Sequence, residues 1–368
     1  MELQSPSEPT QPQRNSNTSH RWSCGMLAGF LCSVIVATPA WAAFYAHRQW
    51  SDNSIFEMIT HCVWHINAAL WIYIAIRALV RWLSTRPTPW HWKLLNTLVL
   101  LPPALYLSWV TTPWTALPLH KLPLTHSPSS SLAPQERLTI FSWNIFLGNQ
   151  RTDELLKTIE EAQADIVVLI ELTPQHTEDL RSLRKTYPHS YWFPRTNTRG
   201  LAVLTKFPQT TFEVINLADE GYPAIAAHIP SKLAPNESTH LLALHTSSPN
   251  LDSRFLSRDR QLKAAGTWAK NQPGDVVILG DLNITPWSPP YLDLLKSASL
   301  KDSRNFRGYF ATWPTGLGIL GIPIDHALLS RRWKVLDRQV GFPSLASDHQ
   351  WMKIELEKPA PSPNNPHF

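Results

Sequence analysis

The sequence predicts an α/β domain over residues 136–358, carried behind an N-terminal third built to cross a membrane. Three observations carry this prediction. Before residue 115 the chain holds three long apolar segments, and after residue 135 short strand-like apolar runs alternate with helix-like segments. Along that alternation Asn, Glu, His and Asp recur where the apolar runs begin or end.

Residues 1–22 are rich in Ser, Pro, Gln and Asn and too poor in apolar side chains to build a core, which marks a disordered tail. Residues 25–46 then run without a charged side chain, enough for a helix to cross a hydrocarbon layer roughly 30 Å thick. A second span is expected from about 55 to 76 and a third from about 94 to 114, so the membrane region occupies 23–114. The second span carries Glu57 near its outer end, and the third contains Pro102 and Pro103, which a membrane helix tolerates better than a soluble one. Trp50, Trp82, Trp90, Trp92 and Trp114 at the span ends suit the interfacial belt. Arg77, Arg81, Arg86 and Lys93 cluster between the second and third spans, whereas the first connection sets Arg48 against Asp52 and Glu57. The positive-inside rule therefore puts the second connection in the cytoplasm and everything after Trp114 on the far side of an inner or plasma membrane. Ala40-Trp41-Ala42 has the pattern of a signal-peptidase site, but cleavage there would leave the other two spans oriented the same way.

His61 and His65 stand four apart, on one helix face, at the spacing of a metal or haem pair. No matching pair occurs in the other spans, so they are read as helix-to-helix or interface positions. Cys24, Cys32 and Cys62 all lie in this third, which leaves no disulfide framework and no Cys-based zinc site for the C-terminal domain. Residues 115–135, rich in Pro, Ser, Leu and Thr, are expected to be a linker holding the domain off the membrane, and 359–368 a disordered tail.

Within the domain, 138–143 is an alternating strand ending at Asn144, and 152–163 an amphipathic helix with Leu155, Leu156 and Ile159 inward. Residues 166–170 form an apolar strand that stops at Glu171, and 201–204 another that ends in a turn at Phe207-Pro208. Residues 241–244 stop at His245, and 253–270 is a helix ended by Pro273-Gly274. The strand from Val276 delivers Asp281 and Asn283, two apart and so on one face of an extended chain, before Pro286 stops the ladder. Asp325 opens a strand over 327–329, and Asp348-His349 opens the last strand, 351–356. There is no 20 to 50 residue repeat. Taken singly these polar residues are caps, turns or surface groups. Six such strand ends in one domain point instead to one shared pocket, because a rigid scaffold presents reactive groups this way.

The series Asn144 in FSWNIFLGN, Glu171 in DIVVLIELTP, His245 in LLALHTSSP, Asp281 and Asn283 in GDLNITPWSP, Asp325 in PIDHALLS and Asp348-His349 in SDHQWM resembles the endonuclease/exonuclease/phosphatase (DNase I-like) superfamily. The resemblance covers about 136–357, nothing before Thr115 enters it, and the nearest in style are membrane-anchored bacterial-type members. It implies a four-layer α/β sandwich of two mixed β-sheets flanked by helices, and metal-assisted hydrolysis of a phosphate ester. On that resemblance Glu171 ligates Mg²⁺, with Mn²⁺ as a substitute, Asn144 stands beside it and Asp348 is a second metal contact. Asp281 orients or deprotonates the attacking water, Asn283 donates to a phosphate oxygen, His349 paired with Asp325 lies against the phosphate, and His245 contacts the phosphate or assists the leaving group. Members differ on whether the Asp or the His is the base. Two departures stand out: Ile170 replaces the Gln that often precedes the metal Glu, and Leu244 precedes His245.

Charge narrows the substrate. Residues 136–358 hold 25 basic and 24 acidic side chains, leaving 8 and 4 outside, so the sequence pI of about 9.1 is weak evidence for gripping nucleic acid. A neutral domain tethered near a bilayer leans toward a lipid head group or an extracellular phosphodiester rather than genomic DNA. Arg195, Arg199, Arg304 and Arg307, near Trp192 and Trp313, are candidates to flank the cleft, though each is better read as a solvated loop cation. The competing reading for the whole chain is a catalytically silent anion-binding or scaffold module using the same pocket.

Overall fold

The computed structural model describes residues 16–48, 54–84, 87–115, 135–219, 221–231, 237–249, 254–342 and 346–359. Four helices come first: α1 (Ser16–Arg48), α2 (Ser54–His61), α3 (Val63–Leu83) and α4 (Trp90–Thr115). Three of them contain stretches long and apolar enough to cross a membrane, Gly25–Arg48, Val63–Leu83 and Trp90–Thr115. Helix α1 begins at Ser16, so residues 16–22 extend the first helix rather than belonging to a tail; adding turns to a formed helix costs far less than nucleating one. Residues 1–15 lie outside the described residues, as do 360–368.

The second span lies further along the chain than expected. The helix breaks at Cys62, and the membrane-length helix is α3, which contains Arg77 and Arg81. The apolar residues of α2 read as membrane in sequence because they continue into α3 without a break in hydropathy. Their buried neighbours Glu57, Thr60 and His61 pack on protein instead. Helix α4 runs through Pro102, Pro103 and Pro113.

The domain follows as β1 (Gln135–Asn144), α5 (Thr152–Ala162), β2 (Ile166–Ile170), α6 (Pro174–Asp179), α7 (Leu183–Thr186), β3 (His189–Phe193), β4 (Leu201–Thr205), β5 (Thr211–Asn216), β6 (Pro223–Pro230), β7 (Ser238–His245), α8 (Arg254–Lys270), β8 (Asp275–Asp281), α9 (Pro289–Ser297), β9 (Leu300–Asp302), β10 (Asp325–Ser330), β11 (Lys334–Val340) and β12 (Met352–Pro359). The strands make two six-stranded mixed sheets, ordered β11-β12-β1-β2-β4-β3 and β5-β6-β7-β8-β10-β9. One parallel pair sits in each, β1 with β2 and β7 with β8. These central strands are buried on both faces, which is why 166–170 and 276–279 are unbroken apolar runs without alternation.

The inner faces meet in a core that joins Ile140, Val168 and Val203 to Leu241, Val277 and Leu279. Outside the first sheet, Leu155 and Ile159 of α5 pack on Val167 and Leu169. Outside the second, α8 and α9 share a single apolar cluster with Ala37, Val63, Leu107 and Trp114 of the N-terminal helices. The expected α/β four-layer sandwich is therefore present, with three apolar helices joined to one of its faces.

The linker at 116–134 lies outside the described residues, but the domain is not held away from the helices. Trp114 packs edge-on against Tyr291 with ring centroids 6.1 Å apart, and the Phe306 N–H donates to the Pro113 carbonyl at 2.8 Å. Tyr309 stacks on Trp64 of α3 at 4.4 Å and on Trp287 at 6.1 Å. Trp287 Nε1 donates to the Thr60 carbonyl at 2.6 Å, while His47 Nε2 donates to the Trp287 carbonyl at 2.9 Å. All of these contacts use the same end of the bundle: the C-termini of α1 and α4, the end of α2 and the start of α3.

Candidate active site

Strand register assembles the site. In the second sheet His245 pairs with Asp281 across the parallel β7/β8 ladder, and Asp325 pairs with Asp281 across the antiparallel β8/β10 ladder. Three ionisable side chains are thus brought level at adjacent strand ends. In the first sheet Asn144 pairs with Ile170, which sets Asn144 beside Glu171. The Asn144 amide Nδ2 donates to Glu171 Oε1 and to Asp281 Oδ2, each at 3.1 Å, and so bridges the two sheets.

His349 arrives just before β12, which runs antiparallel to β1. Ser347 Oγ donates to the Asn144 carbonyl at 2.6 Å and accepts from the His349 N–H at 3.0 Å, while Trp143 Nε1 donates to the His349 carbonyl at 3.0 Å. Its ring then bonds Asp325 Oδ2 through Nδ1 at 2.9 Å and points Nε2 at Asp281 Oδ2, 3.6 Å away. His245 approaches the same Asp281 oxygen at 3.5 Å, its Nδ1 donating to the Thr198 carbonyl at 2.8 Å. Asn283 N–H donates to Asp281 Oδ1 at 2.9 Å, and one amide hydrogen of Asn283 goes to the Thr246 carbonyl at 3.0 Å.

Backbone strain concentrates here. Glu171 has φ 63° and Asn283 φ 48°, left-handed conformations that L side chains adopt at a cost of about 1–3 kcal/mol. Gly280, at φ 141°, passes so close to the Leu244 carbonyl that a Cβ would stand 1.9 Å from that oxygen. The glycine before Asp281 is therefore required by the fold, which the sequence alone does not reveal.

The electrostatics pull the group apart in protonation. Burial raises the Asp281 carboxyl to about 6, against the opposing pull of His349. Burial alone would lower His349, but the Asp325 and Asp281 carboxylates outweigh it and lift the imidazole to about 10. Asp325 is held below its ordinary value: burial opposes ionisation, and the paired His349 overcomes it.

Asp281, Asp325 and His349 offer ligand atoms all within 4.8 Å of one another. In its charged form, which the two carboxylates favour, His349 offers a cation no lone pair. Glu171 is the better donor for a hard divalent ion. It is half-buried, and both its oxygens are oriented, Oε1 by Asn144 and Oε2 by the Leu147 N–H at 2.9 Å. This backbone donor satisfies the carboxylate that lacks a Gln neighbour at Ile170. Asp281 and Glu171 both accept from the neutral Asn144 amide, which sets the two carboxylates on either side of one side chain. Asp348 faces the same cavity, its Oδ2 accepting from Trp313 Nε1 at 3.2 Å.

Of the candidate flanking cations, Arg304 is fully buried and bonded to His326 Nδ1 at 2.9 Å, and Arg307 donates to the Val335 carbonyl at 2.5 Å. Neither is a solvated loop cation. Arg195 lies 3.8 Å over the Phe193 ring and Arg199 4.3 Å over Tyr222, a residue that lines the cavity. His61 and His65 are the largest departure from the sequence reading: both line the catalytic cavity.

Two sheets bring carboxylates, amides and imidazoles from their strand ends into one cavity, the groups that phosphoester hydrolysis draws on. Residues 141–349 match the sequence profile of the Endonuclease/Exonuclease/phosphatase family, and the chain belongs to that family. No curated protein sequence matches the chain. Among solved structures, the chain is similar to humanized D. rerio TDP2 carrying 14 mutations, at 15% identity over 60% of this chain and 98% of that one, with a TM-score of 0.49. It is similar to D. rerio TDP2 complexed with a single strand DNA product, at 15% identity over 60% and 99%, TM-score 0.49. A third is an endonuclease/exonuclease/phosphatase from Bacteroides vulgatus, at 17% identity over 61% and 99%, TM-score 0.49.

Proposed function

We propose that this chain is a membrane-anchored, divalent-metal-dependent phosphodiesterase whose catalytic domain lies on the extracytoplasmic side. The observation that carries the reading is the meeting of Asn144 and Glu171 from one sheet with His245, Asp281 and Asp325 from the other, with His349 set against both aspartates. Glu171 would hold Mg²⁺ or Mn²⁺, with Asn144 beside it and Asp348 as a further contact, and such an ion would supply positive charge against the phosphoryl oxygens.

Asp281 accepts the proton of the attacking water, a role for which burial makes it more basic than an ordinary carboxylate. His349, favoured in its charged form by the Asp325 and Asp281 carboxylates, serves as a cation against the phosphate, oriented by Asp325. Asn283 donates its second amide hydrogen to a phosphate oxygen, the first being held by Thr246. His245 assists the leaving group. The water oxygen bonds to phosphorus as the P–O bond to the leaving alcohol breaks. Asp281 takes the water proton, His245 hands a proton to the departing alkoxide and is restored from Asp281, whose Oδ2 lies 3.5 Å away, and the products are a phosphomonoester and an alcohol.

Two features support the membrane assignment. Three helices have the length and apolarity of spans, and the domain packs at the bundle end opposite Arg77 and Arg81, the end that the positive-inside rule assigns to the far side. The test is turnover by the purified full chain in detergent, stripped of metal and resupplied with Mg²⁺ or Mn²⁺. DNA, RNA, phospholipid, inositol phosphate and a chromogenic phosphodiester are offered in parallel. Metal-restored hydrolysis of a phosphodiester is expected. Failure on every diester and monoester would leave a binding or scaffold module.

A further inference from the structure

The cavity that holds Asp281 and His349 has a volume of about 650 Å³, and one of its walls comes from the N-terminal region: Met58, His61, Cys62 and His65. We propose that this wall belongs to the active site and that the substrate is a phosphodiester lipid taken from the adjoining bilayer surface, its head group contacted by His61 and His65. The inference rests on the phosphodiesterase reading and names its substrate class.

His61 is built as a fixed contact. It is 5% exposed, its Nε2 donates to Glu57 Oε1 at 2.9 Å, and its Nδ1 has no partner among the described residues. Glu57 is in turn ion-paired with the fully buried Arg258, whose guanidinium also donates to the Asn283 carbonyl at 3.1 Å. One chain of bonds therefore runs from a catalytic strand end to an imidazole on the membrane-proximal helix. Nε2 of His65 is likewise buried without a partner. Buried polar atoms left unpaired are costly, and the two side chains that carry them line a cavity, where a small rotation of either ring would let the hydroxyl or ammonium of a head group satisfy them.

A second observation gives the direction of the acyl chains. The loop beside the cavity exposes Leu317 (50%), Ile319 (68%) and Leu320 (66%), and Met58 is 49% exposed. Leu320 and Met58 also line the cavity itself. Apolar side chains grouped beside a cavity mark a lipid or protein contact, and this cavity is lined by the end of α2 and the start of α3, at the bundle end that meets the domain. A lipid phosphate can enter there with its chains still in the bilayer.

The experiment uses the full chain in vesicles of phosphatidylcholine and phosphatidylglycerol with Mg²⁺, comparing kcat/KM on the lipids, on bis(4-nitrophenyl) phosphate and on a single-stranded oligonucleotide. The ratio of lipid to soluble-diester kcat/KM is expected to fall about tenfold or more in the Leu317→Ser, Ile319→Ser double variant and in His61→Ala. A phosphatidylcholine carrying a photoactivatable acyl chain is expected to cross-link to residues 316–321 and to Met58. Unchanged ratios in both variants, or faster cleavage of the oligonucleotide than of any lipid, would overturn the inference. If no diester is hydrolysed, the catalytic reading has failed, and the cross-links decide the lipid site: labels confined to the outward faces of α1, α3 and α4 reject it.

Discussion

Asp281 is the residue on which the other side chains converge, since it touches Asn144, Asn283, His245 and His349. Replacing it with Asn keeps its shape and removes the proposed base, so kcat is expected to fall by roughly 10²–10⁴ with little change in melting temperature. Gly280→Ala is expected to act through the fold instead. The added methyl meets the Leu244 carbonyl in a conformation L residues avoid, and a loss on the order of 4 kcal/mol or more should appear as a collapsed melting temperature or no folded protein. Asp281, Asn283 and Glu171 are legible in the sequence because each interrupts an apolar run. The left-handed backbone at Glu171 and Asn283 is not, because both residue types also occur in ordinary turns and the strain exists only once the two sheets are packed.

At the scale of elements, α2 carries information that hydropathy conceals. Its Glu57 meets Arg258 of α8 in a fully buried pair, so Arg258→Met is expected to cost about 3–5 kcal/mol by leaving Glu57 uncompensated, read as a drop in thermal stability of the full chain. The central strands β1, β2, β7 and β8 are legible as apolar runs with polar ends. Strands such as β5 escape notice because their burial alternates weakly and exposed positions dilute the pattern. The role of α2 is illegible for another reason: an amphipathic helix that runs into an apolar span has the composition of the span, and only its contacts with Arg258 and Trp287 separate the two. His61 and His65 follow from that error, since a wall of the catalytic cavity reads, in one dimension, as a helix face.

For the whole molecule, the apolar cluster continuous from α8 and α9 into α1, α3 and α4 makes helices and domain one packed body. Behind Asp325 lies a buried polar group that ties stability to pH. Burial, aided by Arg304, lowers His326 to about 4, and its ring accepts from Arg304 at Nδ1 and donates to the Ile284 carbonyl at Nε2 as a neutral imidazole. Because the unfolded chain takes up this proton near 6.5 and the folded one only near 4, stability is retained above 6.5 and lost as pH falls between those values. A melting temperature that declines through this window, with a shallower decline in His326→Gln, is the expected outcome. Reporter fusions after residue 359 and before residue 16 are expected to report opposite sides of the membrane.

The central claim is that the cavity around Asp281 and His349 hydrolyses phosphodiesters with a bound divalent ion, and it is tested most directly by metal titration of kcat/KM for the full chain beside Glu171→Gln. Turnover that requires Mg²⁺ or Mn²⁺, with a half-saturating metal concentration raised in Glu171→Gln, is the expected result. Turnover equal in the presence of excess chelator, or a metal response identical in wild type and Glu171→Gln, would contradict it.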